Sequence, residues 1–201
     1  MTKAASLCCK PSSQRPVQCA EKAKPKNARV VAASLRAQNR MPVAIQLREP
    51  VSAYIAVGAN LGDAVASVNK SLHDLSKLPQ TEVKAASGLY RSAPYQAEGP
   101  AFINAVAQIQ TRLTAPDLLT ALQGMEQEAG RVRSHPNAPR TLDLDILFYG
   151  DATLQSSRLT VPHPRWMERA FVLLPLQEVA PHKVVQVMLH AVAHQEIEKL
   201  V

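Results

Sequence analysis

The chain has 201 residues, enough for about one domain with some surplus. Its apolar content of 46% suits a globular core, and no apolar run approaches the roughly 18–20 residues of a membrane-spanning helix. The net charge of +7 is unevenly spread: residues 1–50 carry ten Lys or Arg against two acids, while residues 51–201 carry thirteen against fourteen, so the body lacks the basic field of a general nucleic-acid binder.

Residues 1–50 hold no Gly, Phe, Tyr or Trp and show no sustained hydrophobic period, so the sequence predicts a disordered, basic leader. Its three cysteines, Cys8, Cys9 and Cys19, match no zinc spacing and read as incidental thiols. The leader lacks the apolar stretch of a secretory signal, and a cytoplasmic location is expected. Organelle targeting and a later start at Met41 stay open as accounts of it.

The body, residues 51–201, reads as alternating elements. Ala53 to Val57 is a short strand closed by Gly58. Asp63 is placed to cap a helix on which Val65, Val68, Leu72 and Leu75 form the apolar face, with Pro79 ending the run. Val83–Ser92 is expected as one strand, 93–101 as a loop and Phe102–Thr111 as a strand. Thr114-Ala-Pro-Asp117 opens a helix carrying Leu118, Leu119, Leu122, Met125 and Ala129 on one face, ended by Gly130. Thr141–Tyr149 is the clearest strand. The order β-α-β-β-α-β predicts an α+β, ferredoxin-like fold with an antiparallel sheet, to which 151–201 add short helices and an edge hairpin.

Chemistry concentrates between Gly130 and Tyr149. Alternation along the strand puts Leu142, Leu144, Ile146 and Phe148 on one face and Thr141, Asp143 and Asp145 on the other. Two carboxylates so close repel unless a cation intervenes, and an oxygen-only pair suits Mg²⁺ shared with substrate phosphates. Arg131, Arg133 and Arg140 bracket the preceding proline-bounded loop, and guanidinium groups grip phosphate oxygens through a charged fork. The alternative is an exposed polar face whose arginines pair with surface acids. Gly58-Ala-Asn-Leu-Gly62-Asp63 lacks the ending of a Walker A loop and reads as a strand-to-helix turn. A nucleic-acid-binding or small-molecule-sensing module of the same topology is the competing functional class. The first would need aromatics on the central strands, and the second would not need an acid pair beside clustered arginines.

Seven segments then occur in an informative order: Val57-Gly-Ala-Asn-Leu-Gly-Asp63, Leu89-Tyr-Arg-Ser-Ala-Pro94, Phe102-Ile-Asn-Ala-Val106, Gly130-Arg-Val-Arg133, Pro139-Arg-Thr-Leu-Asp-Leu-Asp-Ile-Leu147, Leu159-Thr-Val-Pro-His-Pro-Arg165 and Glu168-Arg-Ala-Phe-Val-Leu-Leu-Pro-Leu176. Together they resemble the 6-hydroxymethyl-7,8-dihydropterin pyrophosphokinase family over about residues 52–182. The resemblance implies transfer of the β,γ-pyrophosphoryl unit of ATP to the pterin hydroxymethyl group in folate synthesis, with AMP leaving. It implies two Mg²⁺ ions on Asp143 and Asp145, with Arg131, Arg133 and Arg140 holding the phosphates. Arg158, His163 and Arg169 would complete that shell, and Glu126, Ile146 and Thr160 would lie along ATP. Asn104 would bond the pterin ring, Phe102 and Phe171 would sandwich it, and the backbone at Ser92, Ala93, Pro94 and Tyr95 would read its edge. A monomer with no nucleic-acid or membrane partner is expected. The loop Ser134–Arg140 departs from the family by lacking a Trp ahead of its last Pro-Arg, and Trp166 is no substitute. His135 stands in that loop either as an ATP contact or as a solvated side chain.

Overall fold

Ala53, Ile55, Val57 and Ala59 alternate along β1 (Val51–Ala59), and none is more than 1% exposed. In the computed structural model, which describes residues 48–94, 99–130 and 139–200, this strand is the centre of the fold. The expected leader disorder and the residues Tyr95, Arg131, Arg133 and His135 lie outside the described residues. β1 pairs antiparallel with β4 (Phe102–Thr111) on one side and β5 (Asp143–Tyr149) on the other. The far edge of β4 takes β2 (Thr81–Ala86) and then β3 (Tyr90–Ser92), and β8 (Ile197–Lys199) extends the sheet beyond β3. With α1 (Ala64–Leu75) and α2 (Ala115–Glu128) packed on one face, this is the expected ferredoxin-like arrangement.

Both helix starts follow from their caps. Asp63 Oδ1 accepts from the Ala66 amide at 2.9 Å, and Thr114 Oγ1 accepts from the Asp117 amide at 3.2 Å. Such caps contribute about 1 kcal/mol each. Gly130, at φ +76°, takes the left-handed position that ends α2. Val65 and Ala129 depart from the expected apolar faces and are exposed, because the sheet reaches only the Val68–Leu75 and Leu118–Leu122 sides of the two helices.

Two strands differ from their sequence expectation. Val83–Ser92 is two strands, because Ser87 interrupts the ladder. Its amide donates to the Val106 carbonyl (2.9 Å), while its hydroxyl, in place of a backbone carbonyl, accepts from the Val106 amide (3.0 Å). The break turns the Gly88 amide toward Glu178 at 2.9 Å. β5 starts at Asp143, and its register against β1 slips between Tyr54 and Ile55, leaving Leu147 as an extra residue. Leu147 and Phe148 therefore both face the second side of the sheet, and Phe148 does not share the face of Leu142, Leu144 and Ile146.

That second face is covered by α3 (Ala170–Val179), whose Val172, Leu173 and Leu176 bury against Tyr54, Val106, Leu147 and Phe148. A short turn of helix, Trp166–Glu168, precedes α3, and α4 (Gln186–Val192) follows it. The expected hairpin forms from β6 (Leu154–Gln155) and β7 (Thr160–Val161), but as a separate two-stranded sheet; the edge strand is β8. No helix among the described residues is long and apolar enough to cross a membrane.

Candidate active site

Strand alternation sends Gly58 of β1, Phe102 and Asn104 of β4, and Asp143 and Asp145 of β5 to the sheet face that carries α3. There they line a cavity of about 300 Å³. Its other walls are Arg140 before β5, Ser92 and Ala93 at the end of β3, His163 and Arg165 ahead of α3, and Arg169 and Phe171 at the start of α3. Ten residues expected at a site from sequence are thus brought together: Ser92, Ala93, Phe102, Asn104, Arg140, Asp143, Asp145, His163, Arg169 and Phe171.

Register explains the layout. Gly58 pairs with Asn104 on one side and Asp143 on the other, so these three residues form one row across the sheet. Asn104 is 4% exposed and donates through Nδ2 to Ser92 Oγ at 3.0 Å, which fixes its amide plane. A Cβ at position 58 would lie 3.3 Å from Asn104 Oδ1, and the buried amide has little room to yield. Gly58→Ala is expected to weaken binding of a ligand in this cavity by about tenfold with little change in Tm, since misplacement by a few tenths of an ångström is costly in a site and cheap in a fold. Calorimetric titration beside a melting curve checks this.

Charge is arranged in two layers. Arg140 Nη1 pairs with Asp143 Oδ2 at 2.7 Å, and both side chains are largely covered. Arg140 is also held through its backbone: its amide donates to Asn60 Oδ1 at 2.7 Å, and its carbonyl accepts from the Asn60 amide at 3.1 Å. Asn60 Nδ2 reaches on to the Pro100 carbonyl at 3.2 Å, so the glycine-rich turn braces the loops on either side of it. Asn60 thus makes the turn a brace, while Gly58 at its start lines the cavity. Arg169 Nη1 stands 3.9 Å from Asp145 Oδ2. Desolvation, followed by the charge of Asp143, raises the Asp145 carboxyl to about 6 against the opposing pull of Arg169. Two-fifths of the Asp145 side chain meets solvent space, but that space is the cavity itself.

His163 is fixed by its amide, which donates to the Leu147 carbonyl at 3.0 Å. Desolvation, then Arg169 and Arg165, push its imidazole down to about 4. Nδ1 accepts from the Arg165 amide at 3.1 Å, so the neutral ring carries its proton on Nε2 and can donate. An NMR titration of the ring is expected to show no protonation step between pH 5 and 8; a step near 6.5 would contradict this burial.

The remaining expected residues lie elsewhere. Pro94 lines a side compartment of about 180 Å³ that shares Ser92, Ala93 and Phe171 with the main cavity. Glu126, 4% exposed, lies beneath β5 and accepts from the Leu144 amide at 2.8 Å. Alternation turns the Ile146 side chain into the core on the opposite face from Asp145. Arg158 is exposed in the β6–β7 turn, and Thr160 is half-buried on β7; neither lines the cavity. Arg165, not singled out from sequence, does line it, although it stands at the end of the Pro-His-Pro-Arg motif. Ala56, Val57, Leu147 and Val172 supply apolar wall that no motif marks.

A family model described as 7,8-dihydro-6-hydroxymethylpterin-pyrophosphokinase (HPPK) matches residues 54–181, a span that includes every described residue lining the cavity. A 2-amino-4-hydroxy-6-hydroxymethyldihydropteridine pyrophosphokinase of Pseudomonas aeruginosa is 46% identical over 129 residues, covering 64% of this chain and 80% of the relative. The protein of the same name from Haemophilus influenzae is 44% identical over 131 residues, covering 65% and 82%. A crystal structure of a Plasmodium falciparum HPPK-DHPS triple mutant superposes with a TM-score of 0.57 at 14% identity, over 74% of this chain and 44% of that longer one. At that identity the likeness speaks for the fold alone. With the matched span and the two relatives in agreement, this chain belongs to the 7,8-dihydro-6-hydroxymethylpterin-pyrophosphokinase family.

Proposed function

We propose that this chain transfers the β,γ-pyrophosphoryl group of MgATP to the hydroxymethyl oxygen of 6-hydroxymethyl-7,8-dihydropterin, giving the pterin diphosphate and AMP in folate synthesis. One observation carries the reading: Asp143 and Asp145 share a cavity with Arg140, Arg169 and a neutral His163, across one intervening strand from Asn104 and in company with Phe102 and Phe171.

The acid pair fits magnesium. Its donors are hard oxygens, and burial first, then the charge of Asp143, disfavours the ionised Asp145, a penalty that a bound cation would offset. Among the described residues no group of three or more His, Cys, Asp or Glu forms a metal cage, which suits an ion completed by substrate phosphate. Asp143 and Asp145 would hold two such ions, which supply charge neutralisation of the triphosphate and a lowered pKa for the attacking hydroxyl.

The chain itself supplies placement and fixed charge. Arg140 and Arg169 present guanidinium forks to phosphate oxygens, and Arg131 and Arg133 belong to the loop leading into the same site. His163 donates from Nε2 to a phosphate oxygen without adding a titrating charge. Arg158 and Thr160 are assigned to ATP on the family resemblance. Glu126 and Ile146 act on the ATP side through β5, by bonding its backbone and packing its core face. Phe102 and Phe171 offer the pterin its stacking faces, Asn104 pairs with its ring, and the backbone at Ser92, Ala93, Pro94 and Tyr95 reads its edge. Catalysis is then positioning and electrostatic stabilisation, with no side chain needed as a covalent intermediate. The catalytic unit is assigned to residues 51–201, working as a cytoplasmic monomer without nucleic-acid or membrane partners; the near-neutral body supports the last point.

The test is direct: incubate the protein with MgATP and 6-hydroxymethyl-7,8-dihydropterin and measure nucleotide products. One AMP per pterin diphosphate is expected. ADP as the product, or no AMP from a folded preparation, would overturn the assignment.

A further inference from the structure

Arg169 and Phe171 flank the first residue of α3, and this helix start has no cap of its own: Arg169 stands at the N-cap and its side chain makes no capping bond. The cap comes from 25 residues further along the chain. Gln195 Oε1 accepts from the Ala170 amide at 2.9 Å, and Gln195 Nε2 donates to the Glu168 carbonyl at 2.7 Å. One side-chain amide therefore grips the backbone on both sides of Arg169. Gln195 is itself held, since its amide donates to the Val192 carbonyl at 3.0 Å.

The next two residues grip the opposite wall. The Glu196 carbonyl accepts from the Ala93 amide at 3.2 Å, and Ile197 pairs with Ser92 as β8 joins β3. Three consecutive residues thus fasten the helix that presents Arg169 and Phe171 to the strand end that presents Ser92 and Ala93. The side compartment of about 180 Å³ lies between these walls and is lined by Gln195, Glu196 and Ile197 as well as by Ala93 and Phe171. At the far end of β8, Lys199 bonds Glu178 at 2.7 Å, and Glu178 also accepts from the Tyr90 hydroxyl, so the tail is anchored on both sides of its crossing. The family match ends at residue 181, ahead of Gln195, Glu196 and Ile197.

We propose that Gln195 is a positioning residue which, with Glu196 and Ile197, staples the two walls of the pterin pocket and sets the spacing between Phe171 and the Ser92–Ala93 edge. The proposal rests on the assignment of those residues to the pterin. Two bonds from one planar amide fix both translation and rotation of the helix start, which a single capping hydroxyl would not do. The tail thereby contributes to substrate affinity without touching substrate.

The experiment compares Gln195→Ala and Gln195→Glu with the parent full-length chain by amide exchange, calorimetric binding of 6-hydroxymethyl-7,8-dihydropterin in the presence of a non-hydrolysable MgATP analogue, and thermal melting. Gln195→Ala is expected to deprotect the Ala170 amide and raise the pterin Kd about tenfold, with Tm lower by only a few degrees, because a freed helix start displaces Phe171 while a lost cap moves the Tm of a domain this size only slightly. Gln195→Glu keeps the acceptor at a helix N-terminus but sets a carboxylate oxygen against the Glu168 carbonyl in place of the donor, so it is expected to restore Ala170 protection and only part of the affinity. A Tm loss in Gln195→Ala with unchanged pterin Kd would overturn the proposal, as would unaltered exchange at Ala170. Turnover of the parent chain is a separate arm. Absence of AMP there would sink the assigned reaction, and the staple would still be decided by the Ala170 amide.

Discussion

Asp145→Asn is expected to lower kcat by about a thousandfold or more while leaving the metal-free protein as stable as the parent, or more so. The catalytic loss follows from removing one of the two carboxylates assigned to the metal at a site proposed to work by electrostatic stabilisation, where even one lost donor costs about 10²–10³-fold. The stability gain follows from the position of Asp145. Its carboxyl is raised to about 6 by desolvation first and by Asp143 second, against about 3.9 in an unfolded chain. Between those values the folded protein holds more protons than the unfolded one, so this group makes stability fall as pH rises through the window. Asn removes the charge and with it that loss. The Tm advantage of Asp145→Asn is therefore expected at pH 7 and should shrink toward pH 4, where the parent carboxyl is protonated in the folded state and about half protonated in the unfolded one. MgATP should raise the Tm of the parent and not that of the variant, because only the parent retains the full cation site. Melting curves at the two pH values and steady-state rates check both halves. A folded Asp145→Asn protein that keeps more than a tenth of the parent kcat would end the metal assignment.

The second large effect is expected at Arg140. Arg140→Ala should lower kcat/KM for MgATP by about 10²–10³-fold, the scale of losing a preorganised charge at a phosphoryl-transfer site. Its guanidinium pairs with Asp143 at 2.7 Å, and its backbone is clasped by Asn60 through two bonds that the substitution leaves in place. The loop should therefore stay where it is, and the loss should appear in turnover and nucleotide affinity rather than in Tm. Arg140→Lys should recover only part of the activity, since an ammonium keeps the charge without the planar fork. Full recovery by Lys would mean that position 140 needs a positive charge and nothing more. Parallel measurement of kcat/KM and Tm for the three proteins separates these outcomes.

The acid pair was legible because a strand alternates. Asp143 and Asp145 fall on one face with Leu144 and Ile146 on the other, and no tertiary knowledge is needed to say so. The same rule failed at Phe148, because the slip beside Tyr54 inserts Leu147 into the count, and a bulge leaves no mark in a run of apolar residues. The break at Ser87 was hidden in a similar way. A serine hydroxyl standing in for a carbonyl depends on where Val106 lies, and Val106 is 19 residues away. Asp63 and Thr114 were readable as caps because a cap is a local event. Gln195 was not, since it caps a helix that began 25 residues earlier and its sequence context resembles any polar turn. Arg165 belongs to a motif that was seen, but only the closed cavity distinguishes a wall residue from its neighbour in the motif. Local chemistry was thus visible in the chain, and what the fold brings together over distance was not.

The row that runs from Asn104 through Gly58 to Asp143 crosses the cavity floor, with Phe102 and Asn104, assigned to the pterin, on β4 and Asp143 and Asp145, assigned to metal, on β5. Lesions in the two halves would consequently behave as different kinds of allele. A change at Leu144 or Ile146 strikes the core and depletes the protein. A change at Asp143 or Asp145 leaves an abundant, inert molecule whose β4 half is intact. Such a molecule would act as a sink, withdrawing pterin from whatever working copies share the cell, so its harm would scale with its own abundance instead of with the activity it lacks.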